Sequence, residues 1–418
     1  MALRSGYFKF FKMKKSLLLF FATTILTSSN VFTQTVLDWT TTAGVKMHDV
    51  QWTNSGEIFA VGEFRGTTNF GGITLTANPW NGGTNNDGVL LRLDIFGNIL
   101  MAMEIATDDG PGEALHLKAT NNHLYIGCSD EPNDLEDYAL IEKRTYGGGL
   151  VWQQAIHASD ILRIHDLELD DSENVYVLYE HALTDVVKIR KYDSGGNELS
   201  DNLVSLTSQV AFQQMVPDNL GNSFVVGDNN ISLLLYKIDQ SGNQNWQRVI
   251  GGTGQYTNGE AIAIDDSANL YVSGFFTETV DFGNGYVLST GSLTTNPVYH
   301  YIAKFDSSGN TLWARSYGRT VPYHDDYEIK ISRDKQRLLF IKDDTLMQTG
   351  ISGNLMSKTR LATDGDYIGI GAGPGLDVYV AGRLLSGGSH SGKIHRVSCV
   401  APAVDIGTDL TVCEGSNI

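Results

Sequence analysis

Apolar and polar positions alternate with a period of two over short runs, and each run ends in a cluster of turn-forming residues. Between 260 and 318 the pattern is especially regular. EAIAID is followed by DSAN, then by LYVSGFF, and after a longer stretch come YHYIAKFD, SSGN and TLWARSYG. This predicts four strands over 260–265, 270–276, 299–306 and 311–318. Asp accepts local backbone N–H bonds and Gly supplies the positive φ that a tight turn needs, so DSAN and DSSGN are read as hairpin turns. The same turn and strand recur as DIFGNILMAMEIA from 94, DSGGNELSDNLVS from 193 and DQSGNQNWQRVIGG from 239. These turns share only their first residues with calcium loops and lack the further acidic ligands and the closing Glu.

The recurrence is global. A β-rich run appears as IFAVG, LYIG, VYVL, SFVVG, LYVSG, LLFI and VYVAG, with its second position at Phe59, Tyr125, Tyr176, Phe224, Tyr271, Leu339 and Tyr379. The spacings are 66, 51, 48, 47, 68 and 40 residues, a period near 45 with insertions. That period matches blades of four strands, and seven copies predict an all-β, seven-bladed β-propeller of four-stranded antiparallel blades. The seventh unit offers strands over 366–372, 377–384 and 392–398 and no fourth. TVLDWTTTAG (35–44) resembles a stray outer strand with its tryptophan, so an N-terminal strand is predicted to close the last blade and leave no open edge.

The first 33 residues follow a different pattern. Lys9, Lys12, Lys14 and Lys15 precede SLLLFFATTIL, and TSSN follows, which reads as a signal peptide over 1–33. The apolar run is shorter than the roughly 20 residues a membrane-spanning helix needs, and no span is expected after cleavage. Removing this segment takes away one Arg and four Lys and no acid, moving the net charge from −18 to −23. Such a charge repels nucleic acid and anionic lipid. Cys128 sits alone in a strand-like run and is read as a buried apolar residue. Cys399 and Cys413 lie in the last twenty residues, where export permits a disulfide.

IAIDDSANLYVSGFFTETVDFG and the DSSGNTLWARSYG strand resemble the seven-bladed β-propeller (SBBP) repeats of bacterial exported proteins, over roughly 35–398. The resemblance is strongest in unit five, good in units one and four and degraded in units two, three and six. It implies an exported repeat protein with no shared catalytic residues. The tail CVAPAVDIGTDLTVCEGSNI resembles the opening strand of the immunoglobulin-like or PKD-like domains that follow such propellers in surface proteins of Bacteroidota. The resemblance implies that Cys413 meets a later cysteine there. The expected organisation is therefore a signal peptide over 1–33, the propeller over 34–398, and a linker with the truncated start of such a domain over 399–418.

Two places could carry binding or chemistry. The insertions at 64–86 and 276–298 follow the second strands of blades one and five and are expected to crowd one face. NFGGITLTA and DFGNGYVLST alternate like hairpins, so Phe70 and Phe282 are expected to cover their own blades. Trp80, Asn81 and Tyr286 are the candidate contacts for a sugar ring or a protein partner. The second place is the channel mouth, where inner strands open with His48 and Asp49, His165 and Asp166, and His324, Asp325 and Asp326. Convergent His and carboxylate groups suit a cation or acid–base work, while the plainer reading is that they satisfy strand-end amides. GIGAGPG (369–375) precedes no helix and is a strand–turn feature rather than a phosphate loop. G-x-S-x-G and H-E-x-x-H are absent from the sequence. Trp39, Trp152, Trp246 and Trp313 hold comparable outer-strand positions and are expected to pack between blades. No cofactor or metal is expected. The leading expectation is a monomeric, non-catalytic exported scaffold that binds or displays a protein or polysaccharide at the cell surface. The alternative is a hydrolase or lyase acting at the channel mouth.

Overall fold

Alternating β-branched, aromatic and small residues form strands wherever the pattern places them, and the turns between them close with the expected chemistry. The computed structural model describes residues 33–400 apart from 44, 78–85, 106–111, 131–137, 158–161, 182–183, 185, 206–209, 252–255, 292–296, 321–327, 362–364 and 387–388. The signal segment, the tail beyond 400, Trp80, Asn81, His324, Asp325, Asp326 and the side chain of Cys399 lie outside this description.

The described strands make seven four-stranded antiparallel sheets, arranged as the blades of a propeller. Blade five runs Ala261–Ile264, Leu270–Phe276, Tyr299–Phe305 and Thr311–Arg319, from the channel to the rim. Blade seven is composite: Gly365–Ala372, Val378–Ser386 and Ser389–Val400 are followed outward by Thr33–Ala43 from the other end of the chain. That strand runs antiparallel in register, with Val36 opposite Val397 and Trp39 opposite Ile394. GIGAGPG is, as expected, the end of an inner strand and the turn that follows it, closed by Gly373 N–H donating to Asp377 O.

The repeated second-strand position supplies the core. Phe59, Tyr125, Phe224, Tyr271, Leu339 and Tyr379 are fully buried, and Tyr176 nearly so. Burying each such side chain contributes about 2 kcal/mol, the main favourable term of the fold. Cys128 is buried and free, and burial holds its thiol well above the ordinary pKa.

The turns do more than reverse the chain. Asp306 Oδ1 accepts from the N–H groups of Ser308 and Asn310 at 2.9 and 2.8 Å, and Oδ2 accepts from Asn310 Nδ2 at 2.9 Å. Asp94, Asp193 and Asp239 repeat the arrangement. Gly309 has φ +82° and lies beneath Trp246 of the preceding blade, whose ring would stand 3.2 Å from an added Cβ. Trp246 Nε1 also donates to Ser307 O at 3.2 Å, and Trp152 Nε1 donates to Ser194 O at 3.1 Å in the same way. Each tryptophan therefore packs its blade onto the next blade's turn.

Both insertions contain the expected hairpins, Thr67–Phe70 with Ile73–Thr76 and Thr279–Asp281 with Val287–Ser289. Phe70 and Phe282 are buried, against Phe64 and Tyr301 respectively. Each hairpin covers its own blade, as its alternation predicts. Asn284 Nδ2 donates to Thr311 O at 2.9 Å, and Gly71 faces Ile99, so each hairpin tip reaches the start of its own blade's outer strand. The hairpins fold back along the rim of their blades, with Phe70 and Phe282 buried beneath them.

Candidate functional site at the channel

Five of the inner strands carry a β-bulge at the same place: between Met47 and Asp49, Ala114 and His116, Ile164 and Asp166, Phe212 and Gln214, and Tyr367 and Gly369. A bulge leaves an amide without a ladder partner and turns one extra side chain out of the sheet. The extra residues are His48, Leu115, His165, Gln213 and Ile368, and all five line a single channel cavity of about 260 Å³. Around the same ring, the positions after the bulges, or equivalent to them, hold Asp49, His116, Asp166, Gln214, Ala261, Glu328 and Gly369. Two residues further along, Lys118, Glu168 and Lys330 form a second tier.

Most of the first tier fastens one blade to the next. Asp49 Oδ1 accepts from Val50 N–H at 2.7 Å, and its Oδ2 accepts from Leu117 N–H of blade two at 3.0 Å. Asp166 repeats this with Leu167 N–H at 2.8 Å and Met215 N–H of blade four at 2.9 Å. Gln214 Oε1 accepts from Ile262 N–H of blade five at 3.2 Å, and Glu328 accepts from Ile370 N–H of blade seven. His116 Nε2 lies 3.4 Å from Ile164 O of blade three. Where blade seven meets blade one no side chain intervenes: an added Cβ on Gly369 would lie 2.7 Å from Asp49 Cα and 2.8 Å from His48 O, so only glycine fits.

This environment shifts the titrations. Burial, reinforced by the charge of Glu328, raises Asp49 to about 6, while Lys118, Lys330 and the Leu117 amide pull the other way. Burial and Glu168 raise Asp166 to about 7. Burial, with Lys118 nearby, lowers His116 to about 3, so its ring is neutral. Burial opposes the charge of Lys330, but Glu328, Glu168 and Asp49 together hold it protonated well above the ordinary lysine range. Lys330 pairs with Glu328 at 2.5 Å and Lys118 with Glu168 at 2.7 Å.

Of the residues singled out from sequence, His48, Asp49, His165 and Asp166 share this cavity. His165 Nε2 sits 3.0 Å from Glu180 Oε2. Tyr286 is 36% exposed and belongs to the rim hairpin, away from the channel. His116, Lys118, Gln214, Glu328 and Lys330 escaped notice in the sequence. Their signal was a polar residue every second position of an inner strand, as in ALHLKA and EIKI. Among the described residues, no three His, Cys, Asp or Glu side chains are placed to share a metal ion, and no helix is long and apolar enough to cross a membrane.

No family model and no curated protein matches the chain. Solved structures do resemble it in fold. A streptogramin B lyase aligns with a TM-score of 0.55 at 11% identity, over 88% of this chain and 98% of that one. The virginiamycin B lyase of Staphylococcus aureus aligns with a TM-score of 0.54 at 9% identity, over 88% of this chain and 100% of its own. At such identity the likeness extends to the propeller alone.

Proposed function

We propose that this chain is an exported, non-catalytic propeller that binds or displays a protein or polysaccharide partner at the cell surface. In this reading the repeats are of the SBBP type, residues 1–33 are a signal peptide, and an immunoglobulin-like or PKD-like domain begins at about 399. One observation carries the non-catalytic part: Asp49 and Asp166 each direct both carboxylate oxygens at backbone amides, one of them in the adjacent blade. Each of these buried oxygens already accepts a backbone amide and ties its carboxylate between two blades, a role in the fold that accounts for its position without catalysis. Recombinant protein screened against glycan arrays and surface-protein fractions is expected to find a partner. Turnover of a substrate, with no partner found in either screen, would overturn the reading.

A second reading, a hydrolase or lyase at the channel mouth, draws support from His48 and His165 lining one cavity with Glu260 and Glu328. Under it, H48A and H165A would each lower a measurable turnover by about a hundredfold or more.

A further inference from the structure

A groove of about 610 Å³ lies at the rim between blades five and six, remote from the channel. Its apolar lining includes Leu288 of the insertion hairpin, Tyr317, Met347 and Leu355, and its charged lining is Arg315 and Lys358. The size falls within the range of specific ligand pockets. The two outer strands that flank it are Thr311–Arg319 and Leu355–Arg360, with sequences TLWARSYGR and LMSKTR. They carry four cations and no acid in a chain of net charge −18. Arg360 is paired with Asp344 at 2.8 Å, and Arg315 Nε donates to Ser352 O at 3.1 Å. Lys358 is exposed and has no acidic partner among the described residues. Leu355, which lines the groove, is 45% exposed.

Apolar walls beside uncompensated cations call for a ligand with both aliphatic and acidic groups. A sugar would instead need an open aromatic face. Tyr317 is the one aromatic among the lining residues. Its hydroxyl donates to Gly353 O at 2.7 Å, and its ring packs on Phe340 with centroids 5.1 Å apart. We infer that this groove docks an acidic segment of a protein partner, with aliphatic side chains against Leu288 and Leu355 over a floor that Met347 closes, and carboxylates at Arg315 and Lys358. The inference rests on the binding-scaffold reading and narrows its partner to protein.

The test is fluorescence anisotropy of the full chain with a labelled peptide alternating aspartate and leucine, a lysine–leucine peptide as control, and oligogalacturonate as competitor. The acidic peptide is expected to bind at least about tenfold more tightly than the basic one, and K358E to weaken it by about tenfold. The preference should fade as salt rises. Lys358 is exposed, so its reversal leaves the fold intact. Equal binding of the two peptides, an unchanged affinity in K358E, or displacement by oligogalacturonate with K358E-sensitive binding of the sugar would each overturn the inference. If any of these occurs while the broader screen still finds a partner, the groove alone is refuted and the scaffold reading stands.

Discussion

Neighbouring blades meet twice, around the channel and at the rim, and the two joints use opposite chemistry. At the rim a neutral ring rests on a turn glycine, as Trp246 does on Gly309 and Trp152 on Gly196. At the channel a buried acceptor reaches a backbone amide of the next blade, and the acceptor varies: Asp49, Asp166, Gln214 and Glu328 all serve. The rim joint keeps its turn glycine, and the side chain laid on it is tryptophan at Gly196 and Gly309 but Met103 at Gly148 and Asn202 at Gly242. The channel joint requires only that an orphan amide be satisfied, so any side chain of suitable reach will do. Asp49 and Asp166, which look catalytic in the sequence, are thus fasteners between blades.

The comparison breaks most visibly at Asp166. Replacing it with alanine strands the Leu167 and Met215 amides, at about 2 kcal/mol each, so D166A is expected to lose about 4 kcal/mol in urea unfolding. A loss below about 1 kcal/mol would show that water replaces the carboxylate and that the channel joint is dispensable.

The next test uses the titration of a buried carboxylate, which the contact of tryptophan on glycine does not offer. Asp49 has an ordinary pKa of 3.8 unfolded and about 6 folded, so its contribution is fully present below 3.8 and lost as pH rises through 6. D49N cannot titrate at this position. The stability advantage of the parent chain over D49N should therefore shrink by about 3 kcal/mol between acidic and slightly alkaline buffer. Paired urea curves at the two pH values would show it, and a gap that widened instead would mean that Lys118 and Lys330 govern the site.

The smallest effect is expected at the rim. G309A forces a side chain into a left-handed backbone and against Trp246, costing about 1–2 kcal/mol in the same assay. Were G309A to cost more than D166A, the ranking of the two joints would be reversed.

These joints also explain what was legible in the sequence. Strands, turns and the composite seventh blade follow from local alternation, Asp–Gly–Asn chemistry and strand counting, and Tyr271 or Gly309 announces its role within a few residues of itself. The same holds for Phe70 and Phe282, whose hairpins were foreseen. The contacts of their tips with Ile99 and Thr311 are not legible, because those partners stand in outer strands further along the chain. The channel was half legible. Asp49 and Asp166 stood out beside histidines, but their partners, Leu117 and Met215, are apolar residues acting through the backbone, which leaves no mark in a side-chain pattern. The bulges that bring His48 and His165 into one cavity are likewise invisible until register is known.

The composite blade sets a condition on how the molecule is made. Thr33–Ala43 pairs with Ser389–Val400, so the earliest-synthesised strand has its partner at the far end of the ring. Blades one to six can form from contacts local in sequence, whereas the seventh requires closing the whole ring, the slowest kind of contact to make. Until it closes, two unpaired edges are exposed to other chains. Ring closure should therefore be the last and most aggregation-sensitive step of folding, and a detached strand of the 33–43 sequence should act on a nascent ring as a competitor for its own seat.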